Sequence, residues 1–109
     1  MNKVNIIGNV TKDLELKRSE NGGNPYVQFA VAINEYIYGS KEKKAIFIEA
    51  VAFGRKAEVL AEHLEKGSKI AIEGKLSTSS YINKTGGKSY STKILVEEFT
   101  FVDSKRAIS

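Results

Sequence analysis

Between Tyr26 and Tyr36 the chain alternates with a period of two. Val27, Phe29, Val31 and Ile33 fall on one side, and Tyr26, Gln28, Ala30, Ala32, Asn34 and Tyr36 on the other. Successive side chains of a strand point to opposite faces, so the two sets cannot mix. The first set is uniformly apolar and suits a core. The second is small, polar and aromatic. A helix would scatter both sets around its axis, so this segment constrains the fold to one built on strands.

Other segments follow the same rule. From about Asn2 to Lys17, Val4, Ile6, Gly8 and Val10 alternate with Lys3, Asn5 and Asn9. Ile7 breaks the polar side, and Gly8 in mid-strand implies a bend or a close backbone approach. Asn21-Gly22-Gly23-Asn24-Pro25 is a turn signal. After the basic loop Gly39-Ser40-Lys41-Glu42-Lys43-Lys44, the third strand, Ala45 to Phe53, is apolar on both faces. Ile46, Ile48, Ala50 and Ala52 lie on one; Phe47, Val51 and Phe53 share the other with Glu49. A fourth strand spans Lys69 to Tyr81. A second basic tip, Asn83-Lys84-Thr85-Gly86-Gly87-Lys88, leads into a last strand from about Ser89 to Val102. The apolar phase of that strand is even at Ile94 and Val96 but odd at Phe99 and Phe101, which predicts a bulge near Glu97-Glu98.

Only Arg55 to Lys66 has helical spacing. Ala57, Leu60, Ala61 and Leu64 form one apolar stripe, Glu62 and Lys66 stand at a favourable i,i+4 separation, and Gly67 occupies the place of a C-terminal cap. Strand propensity alone also permits a sandwich or an SH3-like barrel. The helix after the third strand favours an all-β, five-stranded Greek-key barrel of the OB type, with one helix between strands 3 and 4. Residues 1–103 form that domain, and 104–109 a short extension. At 109 residues there is room for one core and no second domain.

Composition excludes much chemistry. With no cysteine there is no disulfide, thiolate metal site or cysteine nucleophile, and a lone histidine, His63, makes a zinc site or a Ser/His/Asp triad hard to assemble. No apolar run approaches a membrane span or a signal sequence, so the expected compartment is the cytoplasm. Asp13 with Glu15, and Glu97 with Glu98, read as solvated strand charges. The expectation is a protein without catalysis, metal or cofactor. The balance of 17 Lys+Arg against 13 Asp+Glu, +4 overall, permits an anionic partner without requiring one.

The distribution of rings and lysines says more. Tyr26 and Tyr36, Phe47 and Phe53, and Tyr81 lie opposite the most regular apolar sets, so a closed barrel leaves them outside. Several outward rings on adjoining strands, beside lysine-bearing loops, suit the stacking of unpaired bases. Lys41, Lys43 and Lys44 on one loop and Lys84 and Lys88 on the other are placed to follow phosphates, with Lys3, Arg55 and Lys56 on the rim. Ordinary packing competes evenly for Phe47 and Phe53, and Tyr26, next to Pro25, is the weakest of the set.

These residues also carry a family resemblance. Asn2-Lys3-Val4 with Ile6-Ile7-Gly8-Asn9-Val10 resembles the opening strand of bacterial-type single-stranded DNA-binding proteins, with Asp13-Leu14-Glu15 where the family usually has Asp-Pro-Glu. Phe29-Ala30-Val31-Ala32 matches its second strand. Val51-Ala52-Phe53-Gly54-Arg55-Lys56-Ala57-Glu58 with Leu64-Glu65-Lys66-Gly67-Ser68 matches the third strand, helix and cap, and Ile72-Glu73-Gly74-Lys75-Leu76 the fourth. The resemblance implies an OB fold and a homo-oligomer, usually a tetramer. It implies sequence-nonspecific binding of single-stranded DNA in replication, recombination and repair, at the nucleoid. It implies stacking on Tyr36, Phe47, Phe53 and Tyr81.

Three departures accompany the likeness. The chain has no tryptophan, where several family rings are tryptophans. Ser77-Thr78-Ser79-Ser80 replaces a run that is often basic, and Glu49 stands where a basic residue is common. The chain stops at Lys105-Arg106-Ala107-Ile108-Ser109, without the family's acidic tail tip, so docking of replication proteins through that tip is not expected. A rival reading is a primosome-like adaptor that keeps the barrel but works mainly through protein contacts. A hydrolase or transferase on the same scaffold lacks any acid/base constellation.

Overall fold

The computed structural model describes residues 1–19, 22–36, 38–39 and 41–102, with the side chains of Tyr36 and Tyr81 excepted. The extension 104–109 lies outside the described residues. Six strands and one helix follow in order: β1 (Val4–Val10), β2 (Lys17–Arg18), β3 (Pro25–Tyr36), β4 (Lys43–Phe53), α1 (Arg55–His63), β5 (Lys69–Ile82) and β6 (Lys88–Phe101).

The sheet order is β1-β5-β6-β4-β3-β2, and a further β1–β3 pairing at Asn9↔Ala32 and Val10↔Val31 closes five strands into a barrel. β4 and β6 run parallel; the other neighbours run antiparallel. The barrel and its helix agree with the sequence reading, with one correction. The expected first strand breaks after Val10, and its far end returns as the two-residue β2 on the edge of β3. Counting β2, the helix lies between the fourth and fifth strands rather than the third and fourth.

The alternation decides the core. Val27, Phe29 and Val31 of β3 and Ala50 and Ala52 of β4 point inward, joined by Val10, Ile70, Ile72, Ile94 and Val96. α1 closes one end of the barrel with Ala57 and Leu60, and Leu64 completes the stripe from just beyond the helix. Leu60 is fully buried, so truncation to alanine there costs about 2–5 kcal/mol. α1 ends sooner than the stripe suggests: Leu64 is the C-cap, in extended backbone. Lys66 therefore lies past the helix, and no Glu62–Lys66 pair forms. Gly67 does not cap the helix either; it sits in the following turn, where its N–H donates to the Val10 carbonyl at 2.8 Å. Asp13, read as a solvated charge, accepts the Lys66 N–H at 2.8 Å and ties this turn to the segment after β1.

Two glycines allow strands to cross closely. A Cβ on Gly8 would lie 2.7 Å from the Ala32 carbonyl oxygen, where β1 leaves β5 for β3. A Cβ on Gly74 would collide with the Leu95 carbonyl oxygen. Gly74 also marks the expected bulge. Glu73 pairs with Glu98 but Gly74 pairs with Val96, so Glu97 is the extra residue that flips the phase of β6. No helix among the described residues is long and apolar enough to cross a membrane.

Candidate nucleic-acid interface

With Val27, Phe29 and Val31 committed to the interior, the other faces of β3 and β4 must face outward. Their register sets Tyr26 against Phe53, Gln28 against Val51, Ala30 against Glu49 and Ala32 against Phe47. Phe47 is 66% exposed and Phe53 52%. The Tyr26 and Phe53 rings lie 6.2 Å apart at a tilt of 37°, within the range of favourable aromatic pairs. Ala30 and Ala32 are small, so the surface is low beside Phe47 and Glu49. Val51 is the one outward residue of this stretch of β4 that is buried. It pairs with Gln28 on one side and Leu95 of β6 on the other, which gives the face an apolar floor.

A cleft of about 410 Å³ crosses this face. Thr11, Lys12 and Lys17 border one end, Gln28, Ala30 and Glu49 form its middle, and Lys93 of β6 stands at the far end. Asp13 and Glu15 line it as well, so three ammonium groups and three carboxylates share the cleft.

The lysines expected from sequence divide between surfaces. Lys43 pairs with Tyr36 and Lys44 with Glu35, so adjacent lysines fall on alternate faces of the β3–β4 hairpin. Lys41 is exposed just before β4, and Lys84 and Lys88 are exposed at the β5–β6 turn. Lys3 is engaged elsewhere. Its ammonium lies 2.8 Å from a Glu73 carboxylate oxygen across the β1–β5 pairing. The hydrogen bond to Glu73, and then its charge, hold the Lys3 ammonium above its ordinary pKa of 10.5. Arg55 lies 3.6 Å from Glu58 in the first turn of α1, and Lys56 is exposed beside it. Tyr36 and Tyr81 are strand positions paired with Lys43 and Ser89, but their side chains lie outside the described residues.

Sequence reasoning gives Tyr26 the least weight and does not single out Lys17, Lys93 or Gln28, which line the cleft. Lys93 was accessible from phase: Ile94 and Val96 point inward, so Lys93 must point out. His63, a surface histidine as expected, packs its ring 5.6 Å from Phe101. Among the described residues no cluster of histidine, aspartate or glutamate has the makings of a metal site.

Known proteins share this fold. The model of the single-strand binding protein family matches residues 1–102. A single-stranded DNA-binding protein of Clostridium perfringens is 38% identical over 104 residues, covering 95% of this chain and 67% of that one. One from onion yellows phytoplasma is 37% identical over 107 residues, covering 96% and 97%. Among solved structures, a Plasmodium falciparum SSB in complex with ssDNA superposes with a TM-score of 0.84 at 23% identity, covering 94% of this chain and 96% of that one.

Proposed function

Because the chain belongs to the single-strand binding protein family, we propose that it binds single-stranded DNA without sequence dependence at the level of whole sites. It does so by stacking bases on outward rings while lysines hold the phosphates. The observation that carries this reading is the exposure of Phe47 and Phe53 on one face of β4, beside Tyr26. A folded chain leaves several large rings in water along one face where a ligand covers them. An unpaired base offers a flat π-face to such a ring; a duplex keeps its bases stacked inside.

Tyr36 and Tyr81 extend the ring set, and Lys41, Lys43, Lys44, Lys84 and Lys88 line the path of the strand, with Arg55 and Lys56 at its rim. Lys3 contributes least, since Glu73 already neutralises it. The protein acts as a coat in replication, recombination and repair, in the cytoplasm at the nucleoid, and its part in these processes is binding rather than catalysis. It works as a homo-oligomer, a tetramer or a dimer. The outward face of β1 supports this: Ile7 is 57% exposed, above a cleft of about 540 Å³ shared with Ala71 and Thr100. Sedimentation at micromolar concentration tests that part, and a mass of one chain contradicts it.

Anisotropy titration of labelled oligo-dT against a duplex of equal length, at several salt concentrations, tests the binding. The expected result is clear preference for the single strand, with log affinity falling linearly in log salt by about 0.7 per phosphate contact. Equal affinity for both, or none for either, overturns the reading.

A further inference from the structure

The central part of the ring face is polar. Glu49 lies in the outward set of β4, two residues from Phe47 and four from Phe53, or about 7 and 13 Å along the strand. Its register partner is Ala30, too small to cover it, and its diagonal neighbour is Gln28. Both polar groups line the cleft that crosses β3, β4 and β6, together with Glu15 and with Asp13, which already accepts the Lys66 N–H. Among the described residues the Glu49 carboxylate has neither an ion pair nor a hydrogen bond, although Lys17 and Lys93 border the same cleft. An unpaired carboxylate beside a surface meant for a polyanion repels phosphate. A partner group that carries hydrogen-bond donors is received there instead.

We propose that this cleft is a base-reading subsite, in which Glu49 and Gln28 receive the edge of a nucleobase bearing an exocyclic amine while Lys17 and Lys93 take the flanking phosphates. The inference rests on the single-stranded DNA reading and adds a base preference to it. A carboxylate only accepts hydrogen bonds, so it pairs with the amino groups of cytosine, adenine or guanine. The Gln28 carboxamide offers a donor for the adjoining ring nitrogen or carbonyl. Thymine has no amine: its one donor, N3–H, sits between two carbonyl oxygens that repel a carboxylate, so it is received less well than an amine at the edge of the ring. Backbone contacts and stacking stay blind to base identity, so the preference arises at this one position of the bound strand.

Oligo-dC and oligo-dT of equal length test this, titrated against the wild type, Glu49→Ala and Glu49→Gln. Both are weakly stacking pyrimidines, so stacking cancels in the ratio of their affinities. The expected result is that the dC/dT affinity ratio falls about fivefold in Glu49→Ala, the lower end of a base-edge contact because the site is open. Glu49→Gln, with donor and acceptor together, falls in between. Lys93→Ala weakens both oligomers and lowers the salt slope by about 0.7 while leaving the ratio unchanged. If Glu49→Ala tightens both oligomers equally, Glu49 acts only by repelling phosphates and the subsite is refuted. If the wild type binds neither oligomer, the single-stranded DNA reading fails and the subsite with it. Glu49 is exposed, so these substitutions leave the core intact.

Discussion

Phe53→Ala separates binding from stability in one residue. The ring is 52% exposed and rests on Tyr26 rather than on the interior. Truncating a fully buried phenylalanine costs about 3–5 kcal/mol. With about half of the ring in water, roughly 2 kcal/mol is at stake, and at ~4 °C per kcal/mol the midpoint of thermal unfolding falls by less than about 10 °C. Binding responds more. Loss of one stacked base costs about 1–3 kcal/mol, which weakens the affinity about 5- to 150-fold. Leu60→Ala, in the buried stripe of α1 and away from this face, is the control. It loses about 2–5 kcal/mol of stability and retains affinity in the fraction that remains folded. Anisotropy with labelled oligo-dT and thermal melts of both variants provide the comparison. Phe53→Ala with wild-type affinity, or with a loss no larger than its unfolded fraction, would refute the placement of the ligand on this face.

Gly74→Ala is destabilised by at least about 1–3 kcal/mol in denaturant unfolding, because the added methyl meets backbone at the bulge and lies 2.9 Å from Ile94 Cγ2; unchanged stability contradicts the close strand crossing. Asn2→Ala removes two hydrogen bonds by which the side chain brackets the Leu76 backbone, at 2.9 and 3.0 Å, and lowers stability by about 1–2 kcal/mol in the same assay. Glu73→Gln lowers the Lys3 pKa toward 10.5, read by NMR titration of the lysine Cε signal. The folded-state pKa is raised, so whatever stability the pair contributes is complete at neutral pH and disappears as pH climbs past 10.5 through the folded value. An unmoved Lys3 titration argues against the pair.

Much of the barrel was legible because alternation reports burial directly. The two faces of β3 and β4 and the bulge at Glu97 follow from phase, and the close approach at Gly8 from a glycine in mid-strand. Less visible was whatever depends on pairing between distant segments. β2 has two residues, too few for a pattern, and exists only because Tyr26 and Pro25 offer an edge. Pro25 reads as a turn, yet as the first residue of a strand it forfeits no interior ladder bond, and Tyr26 is left on the ring face. The apolar stripe of α1 outruns the helix because it records burial, not backbone: Leu64 packs inward after the chain has become extended. Lysine-rich loops look like single units in sequence, whereas the strand alternation sends Lys43 and Lys44 to different sides. Lys3 was drawn to Glu73 across a pairing that sequence spacing does not reveal.

The ring signals of the free and DNA-bound protein test the central claim most directly. On addition of oligo-dT, ring currents from stacked bases should shift the NMR signals of Tyr26, Phe47 and Phe53 while those of buried Leu60 and Val27 stay in place. Unmoved rings on β3 and β4, with shifts gathered instead around Ile7 and Ala71 on β1 and β5, would contradict it.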